Sequence, residues 1–213
     1  MKILTIIGTR PELIRLSRII PTLDKFSKQI IVHTGQNYDK NLDHVFFKNF
    51  KLRKPNYYLG AKGSFGDQIS IILKKMEKII EKEKPDRFFV LGDTNSSLGA
   101  IMAKRMGVKV YHVEAGNRCF DDKVPEEINR KIIDHSSDFL LTYTTRSAEN
   151  LVKEGIDRSN IFVVGNPIYE VMSYYEKQIE RSNILQKLKL KEKKYFLLTL
   201  HRTENTTDPK RLK

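Results

Sequence analysis

Seven short apolar, β-branched runs mark the chain: Ile3–Ile7, Ile30–His33, Phe88–Leu91, Val108–Val113, Phe139–Tyr143, Ile161–Val164 and Tyr195–Leu200. They read as buried strands. Between most of them lie amphipathic stretches of helical length, such as Gln68–Glu81 and Glu126–Ile133. Strands alternating with helices predict βαβ units and an α/β fold built on a parallel sheet. Such a sheet places ligands beyond the carboxyl ends of its strands, so the residues that follow each apolar run are the candidates for chemistry. One boundary is visible. Residues 167–184 read as a helix and 185–194 as a lysine-rich connection, and Tyr195–Leu200 then reads as a new buried strand. The expected organisation is a first domain over residues 1–185, and a linker with the first strand and loop of a second domain over 186–213.

Composition narrows the class. The 213 residues contain no apolar run of about 18 residues, so no transmembrane helix is expected. The opening MKILTIIGTRPE starts like a signal peptide, but its apolar run is short and leads into Gly-Thr-Arg-Pro-Glu with no small-residue cleavage site, which suits a first buried strand. The single cysteine, Cys119, excludes an internal disulfide and fits a reducing cytoplasm. A net charge of +13 admits nucleic acid as a partner, but many lysines sit in mixed runs such as Lys74-Lys75-Met76-Glu77-Lys78. Those runs are solvated helix faces, with a modest role in attracting an anionic substrate, and no nucleic-acid or zinc signature accompanies them.

The strand ends carry the rest. Gly8-Thr9-Arg10-Pro11-Glu12 has a turn glycine, capping-box spacing between Thr9 and Glu12, and proline at a first helical position. Helix formation does not require Arg10, which stands where a phosphate is welcome, and Arg15 can face the same opening. The segment matches neither a dinucleotide fingerprint nor a P-loop. Gln36 lies in the polar loop His33–Asp39. Asp93 follows the third run and reads either as the N-cap of a helix through Ala103 or as a functional acid. Glu114 closes a strand before small residues, where a carboxylate is open to a shifted pKa, or it pairs with Arg118 or another base. Cys119 reads as packing. Glu126 and Glu127 open a helix with favourable i,i+4 partners in Arg130 and Lys131. His201 and Arg202 end the last run ahead of Glu204.

In this order GTRPE, HTGQNYD, GDTNSS, HVEAGNRCFD, VPEEINR, GNP and HRTEN resemble the motif series of the non-hydrolysing UDP-N-acetylglucosamine 2-epimerases, over nearly the whole chain. LIRLSR and NRCFD look most like the deoxysugar branch that forms UDP-N-acetyl-L-fucosamine. The resemblance implies two Rossmann-like domains facing across a cleft, the GT-B architecture, with this chain as the N-terminal half. It implies a cytoplasmic enzyme of surface-polysaccharide precursor synthesis that epimerises C2 of a UDP-N-acetylhexosamine by losing and re-adding UDP through a glycal. Asp93, Glu114, Glu126 and His201 match its catalytic positions. Arg10, Arg15, Gln36, Asn117, Arg118, Arg130 and Glu204 match substrate- or nucleotide-binding ones. Arg15 is a departure, since the better-known enzymes carry lysine there, and a planar fork is not a point charge. The chemistry calls for neither metal nor other cofactor. The implied partners are the UDP-sugar and either a second copy or a chain that supplies the second domain, with no nucleic acid and no membrane. The alternatives are a catalytically silent UDP-sugar-binding or regulatory fragment, and a hydrolysing epimerase or GT-B glycosyltransferase.

Overall fold

The computed structural model describes residues 1–35 and 40–199, the side chains of residues 40–44 excepted. Its strands are β1 (Lys2–Ile7), β2 (Lys28–His33), β3 (Tyr57–Tyr58), β4 (Arg87–Leu91), β5 (Lys109–Val113), β6 (Phe139–Thr142) and β7 (Ile161–Val163). The helices are α1 (Arg10–Leu16), α2 (Ile19–Phe26), α3 (Lys40–Asn49), α4 (Phe65–Glu83), α5 (Gly99–Arg105), α6 (Pro125–His135), α7 (Thr145–Lys153), α8 (Pro167–Glu180) and α9 (Ile184–Lys187). All strand pairs are parallel, in the order β3-β2-β1-β4-β5-β6-β7. The chain divides into two compact units, Met1–Ser173 and Tyr174–Lys213. The sheet lies wholly in the first.

The strands are apolar on both faces because both faces are covered, as parallel crossovers require. Leu4, Ile6, Val32, Phe88, Val90 and Val110 pack on one side against Ile72, Met76 and Ile80 of α4 and Ala100 and Ala103 of α5. Ile7, Ile31, Leu91 and Val113 pack on the other with Leu13 and Leu16 of α1, Ile20 of α2 and Phe47 of α3. The side chains alternate with the two-residue period of a strand. A third cluster joins Ala148 and Leu151 of α7 to Leu140 and Ile161.

The first six expected strands form. β3 was not expected: two residues beside Pro55 give no periodic signal, and it exists by pairing Tyr57 with Val32 and Tyr58 with His33. The strand expected at Tyr195–Leu200 does not appear. Residues 195–199 are exposed and irregular, and Leu200 lies outside the described residues. A strand persists only when a neighbour takes its backbone groups, and none of the described strands does so. The expected helix over residues 167–184 ends at Glu180, and α9 follows.

Strand order reverses between β1 and β4, so the crevice of the sheet opens beyond Ile7 and Leu91. Two glycines let the loops there close. A Cβ at Gly8 would lie 1.8 Å from Ser96 Oγ. Gly116 has φ +76°, and a Cβ there would lie 2.1 Å from the Ser147 carbonyl oxygen. Gly107 shares the left-handed conformation with open space around it. Gly107→Ala is therefore expected to cost about 1 kcal/mol of strain, and Gly116→Ala about 3 kcal/mol or more, because backbone must also move. Urea unfolding of the two variants measures the difference.

Candidate functional site

The floor of the crevice is a set of hydrogen bonds from one strand end to the next. Glu12, on the first turn of α1, accepts from Gly8 N at 2.6 Å, from Thr9 N at 3.3 Å and from Thr94 Oγ1 at 2.7 Å. The capping role read from sequence is therefore half of what Glu12 does; its other half crosses the switch point to the β4 loop. Thr34 Oγ1 and Ser96 Oγ, 2.7 Å apart, tie the β2 end to the same loop.

Asp93 is not the helix cap that its spacing allowed. Thr94 takes the N-cap position of a short 3₁₀ turn, Asn95–Leu98, ahead of α5. The Asp93 carboxylate instead receives Arg130 of α6, whose Nε and Nη2 lie 2.8 and 2.6 Å from Oδ2. Asn129, one residue earlier, donates to the Asp93 carbonyl at 2.9 Å. The helix-surface pairs suggested by spacing give way to others. Arg130 reaches Asp93 and Glu127, and Lys131 reaches Asp122. Glu127 is fully buried and accepts from Cys119 N at 3.1 Å, Phe120 N at 3.0 Å and Arg130 Nη1 at 2.9 Å. Burial works against its ionisation, but these donors outweigh burial and hold its pKa at about 2.

Glu114 follows β5 with φ +77°, a left-handed conformation rarely adopted by a long side chain. The amides of Glu114 and Ala115 hold it there by donating to Leu141 O at 3.0 and 3.3 Å. Its carboxylate pairs with Arg15 of α1 through Oε2 and accepts from Asn117 Nδ2 at 3.2 Å through Oε1. Burial raises its proton affinity; Arg15 opposes this and the neighbouring Asp93 charge adds to it.

Other expected site residues divide by place. Arg10 is exposed at the start of α1 and Glu126 is half-buried on the first turn of α6. Asn117 bridges Glu114 and Ser147 Oγ. The Arg118 side chain is fully buried, pairing with Asp134 at 2.8 Å and with Glu154 through Nε and Nη2 at 2.7 and 2.6 Å, so it stands beneath the crevice and does not line it. Gln36, His201 and Glu204 lie outside the described residues.

Sequence reading missed Asp134, Tyr143 and His112. Asp134 reads as a polar residue near a helix end, and only tertiary structure shows it accepting from His112 Nδ1 at 2.8 Å and Gly116 N at 3.1 Å. His112 Nε2 reaches Gly92 O at 3.0 Å. Tyr143, after β6, brings its hydroxyl into the field of Glu114, Arg15 and Asp93.

Carboxylates and arginines gather over the switch point of a doubly wound parallel sheet, the place where this class of α/β protein binds nucleotides. The UDP-N-acetylglucosamine 2-epimerase family model matches residues 22–213, and the chain belongs to that family. It is 46% identical over 211 residues to a UDP-N-acetylglucosamine 2-epimerase of Methanococcus maripaludis, covering 96% of this chain and 57% of the relative. It is 39% identical over 218 residues to the UDP-2,3-diacetamido-2,3-dideoxy-D-glucuronate 2-epimerase of Pseudomonas aeruginosa, covering 100% of this chain and 60% of that one. The crystal structure of the Methanocaldococcus jannaschii UDP-GlcNAc 2-epimerase in complex with UDP-GlcNAc and UDP superposes with a TM-score of 0.91 at 43% identity, again over 100% of this chain and 60% of the other. The chain thus spans less than two thirds of the length of these relatives. A lipopolysaccharide galactosyltransferase at 18% identity and a TM-score of 0.55 shares the fold alone.

Glu12 gives this site a pH signature. Burial pushes its pKa from 4.5 up to about 7, against the hydrogen bonds from Thr94, Gly8 and Thr9. An acid with a raised folded pKa contributes its full stability below the unfolded value and loses it as pH rises to the folded one. Stability from Glu12 should therefore fall between about pH 4.5 and 7, by on the order of 3 kcal/mol, and level off above. Urea unfolding at pH 5 and pH 8 should show that Glu12→Gln narrows the difference between the two.

Proposed function

We propose that this chain supplies the proton-transfer half of a UDP-N-acetylhexosamine C2 epimerase. The observation that carries the reading is the pair of carboxylates, Asp93 and Glu114, on neighbouring strand ends over the switch point. Each is held by its own arginine, and the Glu114 carboxylate has a raised proton affinity. A hydrogen on C2 of such a sugar is not beside a carbonyl, so direct deprotonation leaves a carbanion with no sink. The chemistry becomes feasible when the C2 hydrogen leaves as a proton while the C1–O bond breaks. Its electron pair departs with UDP and a C1=C2 glycal remains. Re-addition of UDP at C1, with a proton delivered to the other face of C2, gives the epimer.

Asp93, Glu114 and Glu126 are the proposed proton carriers, and the raised affinity of Glu114 suits a group that holds a proton between turnovers. Arg10, Arg15 and His201 are proposed to hold the departing diphosphate, with Gln36 and Glu204 on the ligand. Asn117, Arg118 and Arg130 are better supported as residues that hold the machinery: Asn117 on Glu114, Arg130 on Asp93 and Arg118 on Asp134. Neither metal nor redox cofactor enters this scheme.

The relatives' names cover both UDP-N-acetylglucosamine and a UDP-diacetamido-glucuronate. The sugar, the deoxysugar branch, the cytoplasmic setting and a homodimer or partner chain belong to the proposal, as does turnover by this chain alone, which spans 57–60% of those relatives. Epimer formation from UDP-N-acetylglucosamine and UDP-N-acetyl-L-fucosamine, followed by NMR with the chain alone and with candidate second-lobe chains, tests it. Asp93→Asn is expected to lower kcat about 10² to 10⁴-fold. Turnover within about threefold of the parent would remove Asp93 from the reaction, and release of free UDP with no epimer would move the chain to a hydrolase or transferase.

A further inference from the structure

Tyr143 is a polar group of the crevice that the family motifs leave unassigned. It follows β6, and its ring packs against the cluster formed by Ile7, Leu13, Leu16, Leu91 and Val113. That packing fixes the direction of the hydroxyl. Oη is buried, and its hydrogen meets no acceptor among the described residues. The charges of Glu114, Arg15 and Asp93 act on it, and burial followed by the Glu114 charge makes the phenol hold its proton more tightly than usual.

Arg15 lies beside Oη, but a guanidinium only donates, so it cannot accept the phenolic hydrogen. The carboxylates are engaged elsewhere: Glu114 Oε2 with Arg15, Glu114 Oε1 with Asn117, and Asp93 Oδ2 with Arg130. A buried donor without an acceptor calls for an explanation, because native interiors rarely leave one. Phenylalanine would pack the same ring without that penalty. The hydrogen therefore points to an acceptor that arrives with a ligand. The surroundings also select the acceptor. Oη faces two carboxylates, Glu114 and Asp93, against one arginine, Arg15, so a neutral oxygen is welcome beside it and a further anion is not.

We propose that Tyr143 is a specificity-determining residue whose hydroxyl donates to a neutral oxygen on the sugar end of a bound nucleotide sugar, beside the carboxylates that act at C2; this rests on the reading under Proposed function. Two measurements on the 213-residue chain test it. In thermal unfolding, Tyr143→Phe leaves Tm unchanged or raises it, because the phenolic hydrogen has no internal acceptor to lose. In NMR titrations, the Tyr143 ring signals move with UDP-N-acetylglucosamine and not with UDP. Tyr143→Phe weakens binding of the sugar nucleotide by about threefold to thirtyfold and leaves UDP binding unchanged. A fall in Tm of several degrees means that the hydroxyl serves the fold and overturns the proposal. So does a Tyr143 response that is the same for UDP as for the sugar nucleotide. If Asp93 and Glu114 signals respond to the sugar nucleotide while Tyr143 does not, this proposal fails and the proposed function stands. If none of the three responds to either ligand, with the chain alone or with a second-lobe chain, both fall.

Discussion

One buried carboxylate holds the working end of this sheet together. Asp134, near the end of α6 and with its side chain fully buried, accepts from His112 of β5, from the Gly116 amide and from Arg118. Through His112 the same contact reaches the carbonyl of Gly92, the residue before Asp93. The ends of β4 and β5 thereby share one anchor, and the two carboxylates they carry inherit their separation from it. A buried carboxylate is tolerated only when donors surround it, and three surround this one. About one turn earlier on the same helix, Asn129 and Arg130 hold Asp93 directly. α6 thus works as a splint laid across two strand ends.

This arrangement explains why a strained residue persists at the site. Glu114 sits at φ +77° because both sides of it are fixed, by Leu141 O through its own amide and that of Ala115, and by Asp134 through Gly116. Strain of this kind survives where the surroundings over-determine the backbone. The consequence is a carboxylate aimed at Arg15 and set beside Asp93, with a proton affinity that burial raises.

Much of the fold was legible in the chain. The apolar runs from Ile3–Ile7 to Ile161–Val164 are strands because a parallel sheet buries both faces, and that produces continuous apolar runs. What failed depended on partners distant in sequence. The Tyr195–Leu200 run has the composition of a strand, yet the described residues offer it no neighbour, while Tyr57–Tyr58 has almost no signal and becomes a strand by lying beside β2. The candidate site divides the same way. Glu114 and Asp93 were visible as candidates because they follow strand runs, where this class of fold places ligands. Arg118, expected at the ligand, is buried on Asp134 and Glu154, partners 16 and 36 residues away that no local spacing shows. Asp134 and Tyr143 carry no motif, and their importance is purely spatial.

The splint through Asp134 is tested most directly by the unfolding free energy of Asp134→Asn, read together with hydrogen exchange at the Gly116 amide. Replacing a buried charged partner with a near-isosteric amide leaves shape almost intact and removes the charge that His112, Gly116 and Arg118 share. The account predicts a loss of about 3 kcal/mol or more and faster exchange at Gly116, with the Asp93 and Glu114 backbone signals displaced. A loss below about 1 kcal/mol, of the size typical for an exposed ion pair, with Gly116 still protected, would contradict it.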